Sequence, residues 1–316
     1  MPIVSQQPST KLSYMQTYFH LAIAWDWEPD RDFVAILERQ MHDHHLLSYS
    51  ISHHNVQETL RKLSRGELQF GAFLDRASDS DERFVPLARA MQKSTSLYIN
   101  PPEAVHHAVD KATMHLEFLN KGIEVPFTII ISPYNKKKEV ELSISDIANL
   151  GRPFIIKPAN TTGGGTGVIT GAETLKDVIE SRQHHKNDKY LLQQKIAPIF
   201  LTGRKAWFRV FYIFGLILPC WWDDETHLYS MTTKHDVTTY GLRPLISITK
   251  RIWEICKLNF FSTEIAATGE KRFVSVDYVN DTCDMRLQSK HHDGVPDLVV
   301  AEICRRIARH LKSALQ

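Results

Sequence analysis

The run Phe154-Ile155-Ile156-Lys157 reads as a strand ending in a lysine, and it feeds Pro158-Ala159-Asn160-Thr161-Thr162-Gly163-Gly164-Gly165-Thr166-Gly167-Val168. Glycines at 163, 164, 165 and 167 let the backbone take positive φ and turn N–H groups toward phosphate oxygens with no Cβ in the way, while Lys157 adds a point charge. The spacing is neither the GxxxxGK[ST] loop nor a GxGxxG turn opening a helix. A glycine-rich hairpin turn is the plainer alternative.

A second group is acidic. Glu264 and Asp277 each lie in an apolar, strand-like run, Phe261-Ser-Thr-Glu264-Ile-Ala and Phe273-Val-Ser-Val-Asp277-Tyr-Val-Asn280. Magnesium carried on a nucleotide wants hard oxygen ligands, one or two carboxylates besides phosphates and water, and carboxylates on adjacent antiparallel strands can converge on it. Side chains alternate along a strand, so Asn280 shares a face with Asp277 only if a bulge or turn intervenes near Val279. Arg209 interrupts the apolar strand pattern of residues 207–213. Such a guanidinium needs an anion, either a phosphoryl oxygen or a buried carboxylate. Arg286 and Ser289 stand in the polar stretch after the second acidic strand, where they serve either a substrate carboxylate or a surface turn.

These groups need rigid elements to hold them. Residues 20–25, 46–51, 68–74 and 97–99 read as strands, with helical patterns over 30–45, 55–65 and 81–93 between them, the pattern of a small β/α domain. Asn100-Pro101-Pro102 marks a boundary, followed by a helix over 103–120 and a strand over 125–131. Residues 133–189 are more polar and hold strands at 154–157 and 168–170 and a helix over about 172–183. Strands follow at 190–194, 207–213, 215–220, 261–266 and 273–278, with helices over about 245–257 and 298–311.

Strand, Lys-Pro and a glycine-rich turn entering another strand resemble the central lid of ATP-grasp enzymes, and the resemblance spans roughly residues 20–310. It implies an α/β fold: an N-terminal pre-ATP-grasp domain (1–100), a core (101–132 and 190–316) and a small α+β lid (133–189). It also implies ATP and Mg2+ as cofactors. By the same resemblance Lys111, Lys157, Gly163, Gly164, Gly165, Thr166 and Gly167 meet the nucleotide phosphates, and Gln193, Gln194, Lys195 and Ile196 form the hinge against adenine. Glu264, Asp277 and Asn280 hold the metal, and Arg209, Lys157 and Arg286 are catalytic. Two positions depart from the family: many members carry glutamate where Gln193 or Gln194 stands, and the second acidic strand commonly spaces its carboxylate and asparagine by one residue, where here there are two. The activity implied is ligation of a small-molecule carboxylate to an amine through an acyl phosphate. Phosphorylation of a hydroxyl and nucleotide binding without catalysis are the rival readings. Dimerisation is common in the family, so a homodimer is open.

Composition sets outer bounds. Across 316 residues, 43% are hydrophobic and 23% charged, which suits a folded chain with more than one domain. A net charge of +2 gives no general pull toward nucleic acid or an anionic membrane. The four cysteines are scattered without a CxxC pair, arguing against zinc or a disulfide framework. The sixteen histidines come partly as adjacent pairs, whose side chains diverge and make no chelate. No apolar run of membrane-spanning length and no secretory leader pattern is present, so a cytoplasmic protein is expected. Trp221 and Trp222, with Lys234 and His235, fall in a stretch between core strands that reads either as a substrate-closing loop or as packing.

Overall fold

The computed structural model describes residues 16–94, 97–160, 167–269 and 272–315. It opens with a β/α unit: β1 (Thr17–Trp25), α1 (Arg31–Asp43), β2 (Ser48–Ile51), α2 (Val56–Ser64), β3 (Leu68–Arg76), α3 (Val85–Gln92) and β4 (Leu97–Ile99). The four strands are parallel in the order β2-β1-β3-β4. Alternation along β1 explains its continuous apolar reading, because both faces are covered. Leu21 and Ile23 pack toward α1 and the C-terminal helix, while Ala22 and Ala24 join residues of α2 and α3.

The expected helix over 103–120 is two helices, α4 (Pro102–Val109) and α5 (Lys111–Asn120). The chain turns extended at Asp110 (φ −71°, ψ 94°), whose carboxylate accepts from the N–H groups of Ala112 (3.0 Å) and Thr113 (3.2 Å). An aspartate that satisfies the first orphan donors of a helix favours starting one over continuing one. Lys111 thereby becomes the first residue of α5.

A four-stranded antiparallel sheet follows, built from β5 (Thr128–Ile131), β6 (Phe154–Pro158), β7 (Ile169–Ala172) and β8 (Tyr190–Gln194), with α6 (Ile144–Leu150) and α7 (Leu175–Ser181) in its connections. Its order is β5-β8-β6-β7, so the strands flanking 133–189 hydrogen-bond into the small sheet rather than the large one. α6 is not among the helices expected above, although Ser143 and Asp146 form a capping box at its start.

After a short hairpin of β9 (Phe200–Leu201) and β10 (Arg204–Lys205) comes the large sheet: β11 (Trp207–Ile213), β12 (Leu216–Trp222), β13 (Tyr229–Met231), β14 (Phe260–Ala267) and β15 (Phe273–Asn280). Its strands are antiparallel in the order β13-β12-β11-β14-β15. α8 (Lys234–Thr239) and α9 (Arg243–Cys256) lie between β13 and β14, and α10 (Asp297–Ala314) closes the chain. One face of the sheet, through Phe208, Val210, Tyr212 and Phe261, is covered by α5 and α9; on the other, Phe211, Ile213 and Phe260 share a core with α10 and α1. α10 is thus packed between the N-terminal sheet and the large sheet. A buried ion pair adds to this join: Arg76 donates to both oxygens of Asp30 at 2.7 Å and to the Cys283 carbonyl at 2.9 Å. No helix among the described residues is long and apolar enough to cross a membrane.

Candidate active site

Antiparallel pairing sets Arg209 of β11 opposite Glu264 of β14, and Glu264 opposite Asp277 of β15, so the three form one row across the sheet. Glu264 is buried; one oxygen accepts from Arg209 Nη2 and the other from the Trp207 indole N–H at 3.2 Å. The carboxylate that an arginine in an apolar strand requires is therefore Glu264. Burial alone would lower the arginine's proton affinity, but the Glu264 charge outweighs it and raises the pKa. Trp222 fixes the guanidinium from another side, with its ring 4.7 Å away, and Trp222 itself stacks on His227 at 5.5 Å. Trp221 is buried and Trp222 is half-buried, held by these contacts and packed against the core that α10 shares with the large sheet. Arg209 Nε is buried without a hydrogen-bond partner.

Removing one member of such a pair leaves the other as an uncompensated buried charge, costing about 3–5 kcal/mol, whereas removing both is far cheaper. Glu264→Leu is expected to lower stability by about that much and the double variant Arg209→Met/Glu264→Leu to recover most of it. Urea titration of the two single variants and the double variant checks this; simple additivity would mean that the pair is not coupled.

Asn280 reaches the same face as Asp277 because β15 is irregular. Ser262 pairs with Asn280 and Glu264 with Asp277, so two steps on β14 match three on β15. A second register shift follows between Glu264 and Ile265. The extra residue reverses the alternation, which is the bulge that the spacing required.

Lys157 approaches this row from β6. It is buried, donates to the Val276 carbonyl at 3.2 Å, and holds its ammonium 3.7 Å from Asp277 Oδ1 and 5.5 Å from the centre of the Tyr278 ring. Burial pulls the Lys157 pKa down and the nearby Lys111 adds to this, against the pull of Asp277. For Asp277 burial acts upward, but Lys157, Lys111 and Arg209 together carry its carboxyl below the ordinary range. Its side chain still keeps 37% of its surface open. Lys111 belongs to the cluster through this shared field. Its backbone N–H donates to the Ala159 carbonyl at 3.1 Å, docking the start of α5 on the base of the glycine-rich stretch, and Lys189 pairs with Asp110 at 2.7 Å.

Of the glycine-rich stretch, Gly163, Gly164, Gly165 and Thr166 lie outside the described residues. Gly167 has φ +79°, the left-handed region, and a Cβ there would sit 3.4 Å from the His185 ring. At the end of β8, Gln193 is buried, Gln194 and Lys195 are exposed, and Ile196 packs with Trp207 and Val276 beside the charged row.

Arg286 is held elsewhere. Asp284 takes its Nε and Nη2 (2.9 and 2.7 Å to Oδ2), and Asp293 takes Nη1 and Nη2 (3.1 and 2.9 Å), which leaves one N–H for anything else. Its guanidinium lies 5.8 Å from the Trp27 ring of the N-terminal domain, and the Ser289 N–H is bound to Asp297 at 3.0 Å. Among the described residues no group of three His, Cys, Asp or Glu is arranged as a metal cage, the histidine pairs included.

The fit to magnesium rests on donor chemistry. Asp277, Glu264 and Asn280 place two carboxylates and an amide on one face, the small set that suits an ion brought in on phosphates. Three residues of the site escaped the sequence reading: His115, Trp207 and Tyr278. His115 lies one helical turn after Lys111, and the i, i+4 spacing was the available signal.

The fold has counterparts among solved structures. The ATP-grasp ligase PsnB, solved with a minimal precursor, Mg and ADP, superposes with a TM-score of 0.60 at 14% identity, covering 93% of this chain and 97% of that one. A RimK-domain ATP-grasp protein from Sphaerobacter thermophilus gives 0.58 at 18% identity (90% and 98% covered). D-alanine–D-alanine ligase from Bacillus anthracis, solved with ATP, gives 0.57 at 11% identity (94% and 99% covered). No protein-family model matches the sequence, and neither does any curated protein. With likeness over nine-tenths of its length to such structures, and with its strands in the order described above, this chain has the ATP-grasp fold.

Proposed function

We propose that the protein is an ATP- and magnesium-dependent ligase that activates a carboxylate as an acyl phosphate and joins it to an amine. The observation that carries this reading is the convergence of Lys157, Lys111 and Arg209 on the Asp277–Glu264 row, three cations around a carboxylate pair of which Asp277 stays partly open. A purely structural ion-pair network would have no need to keep Asp277 open. Solved proteins of this fold include the D-cycloserine synthetase DcsG and the macrocyclase MdnC bound with its precursor peptide.

In this reading Lys157, Lys111 and the backbone of residues 163–167 neutralise phosphate oxygens, and residues 193–196 meet the adenine edge. Asp277, Glu264 and Asn280 would hold magnesium, which would supply charge neutralisation at the phosphates. A substrate carboxylate oxygen attacks the γ-phosphorus and ADP leaves. The amine nitrogen then attacks the acyl carbon, phosphate leaves, and the nitrogen gives up its proton to solvent. Arg209, oriented by Glu264 and Trp222, faces the charge that builds on the transferred phosphoryl group, so the protein's share is positioning and electrostatics. Arg286, engaged on two edges by Asp284 and Asp293, orders the segment after β15 and keeps one N–H for a substrate carboxylate.

The test is ADP release over panels of carboxylates and amines. A ligase releases ADP fully only when both are present and yields an amide. ADP formation that depends on an alcohol alone would replace this reading with a kinase, and nucleotide binding with no turnover on any panel would reduce it to a binding protein.

A further inference from the structure

Next to Asp277 stands Tyr278, whose side chain is wholly buried and touches every element that brings a residue to the site from outside the large sheet. Its hydroxyl lies 2.8 Å from His115 Nδ1 of α5 and accepts from Gln193 Nε2 of β8 at 3.1 Å. The Lys157 ammonium of β6 lies over its ring, and Phe118 of α5 meets the ring edge-on at 5.3 Å.

The direction of each hydrogen bond is fixed by proton counting. Thr128 donates its hydroxyl proton to the Pro126 carbonyl at 2.9 Å, so toward Gln193 Nε2, 3.3 Å away, it can only accept. The Gln193 carboxamide must then turn its NH2 group toward both Thr128 and Tyr278. The Tyr278 oxygen accepts there, and its single proton goes to His115 Nδ1, which requires the neutral tautomer with hydrogen on Nε2. One group is left over: Gln193 Oε1 is buried and has no donor. A buried acceptor without a donor is costly and calls for a ligand or water that supplies one.

We infer that His115 and Tyr278 are positioning residues that set nucleobase choice, by locking the Gln193 carboxamide with its oxygen as the unengaged acceptor for the exocyclic amine of an amino-purine. An oxo-purine would bring an acceptor against that acceptor and be refused. The inference rests on the nucleotide reading above. It also requires the base, entering beside residues 194–196, to displace the cover over Oε1.

The test is titration calorimetry of the full chain with magnesium and a non-hydrolysable ATP analogue or its GTP counterpart, on wild type, Tyr278→Phe and His115→Leu. In Tyr278→Phe the carboxamide keeps only its longer contact with Thr128, whose hydroxyl can turn its proton from Pro126 to a flipped Gln193 oxygen, so the preference for adenine falls by about tenfold or more. In His115→Leu the hydroxyl proton has lost its acceptor and turns to Gln193, drawing the oxygen inward and presenting NH2 to the base, so the preference shifts toward guanine. The double variant Tyr278→Phe/Gln193→Glu restores the preference for adenine, because a carboxylate is an acceptor at both ends; general damage to the site would not be repaired this way. Adenine preference unchanged in both single variants, with the ATP analogue still bound, overturns the lock and leaves the nucleotide reading standing. No nucleotide binding by wild type overturns both. Should Tyr278→Phe fail to fold, His115→Leu decides alone.

Discussion

Lys157→Met is expected to cut ATP-dependent turnover by at least about 100-fold while leaving the protein folded. Two effects compete in the stability. Breaking a buried pair strands the partner charge at a cost of about 3–5 kcal/mol, but that figure applies to a partner with no other compensation. Asp277 keeps a third of its surface open and still feels Lys111 and Arg209, while methionine removes the burial penalty that the ammonium bears. The second effect should prevail, and the melting temperature should change little. The pH profile adds an independent mark. With Lys157 present, the Asp277 carboxyl sits below its ordinary value, so the charged form persists to low pH and its contribution is lost only as pH falls through that depressed value. Without Lys157, burial is opposed by fewer cations, the pKa rises, and the acid limb of residual activity moves to higher pH. Steady-state ADP release from about pH 4 to 8 in both proteins reads this out. Wild-type turnover in the variant would remove Lys157 from the chemistry.

The second large effect is on magnesium. Asp277→Asn removes the partly open negative charge while Lys157, Lys111 and Arg209 stay, so the site becomes more positive. Metal-free ATP should bind as well as to wild type or better, because a like charge facing the phosphates is gone. The gain in affinity that magnesium brings should vanish, and turnover should fall by roughly 100- to 1,000-fold. Calorimetric titration with ATP, with and without magnesium, separates these outcomes. If magnesium strengthens ATP binding to the variant as much as to wild type, the ion is held by residues other than Asp277.

The sequence alone determined which residues carry charge inside apolar strands, because a lysine, an arginine and two carboxylates at such places need partners whatever the fold. It also determined several strand limits: Leu97–Ile99, Tyr190–Gln194 and Trp207–Ile213 are as expected. Alternation also set the condition for Asn280 to share a face with Asp277, a bulge or turn near Val279, and the register shift between Ser262 and Glu264 supplies the irregularity. The break at Asp110 was not legible from apolar periodicity, because aspartate is tolerated in a helix and only its capping geometry reveals the boundary. Tertiary structure decided the rest, for reasons of distance. Lys157 and Asp277 are 120 positions apart in the chain, and only the packing of the small sheet against the large one brings their charges within 4 Å. Pairing of β11 with β14 inside the large sheet gave Arg209 its partner in Glu264, the turn after β15 engaged most of Arg286 with the nearby Asp284 and Asp293, and the packing of the two sheets buried Tyr278 where its hydroxyl meets both α5 and β8. A residue's type states what partner it requires; which atom supplies that partner is set by contacts between segments far apart in sequence, and no local pattern encodes them.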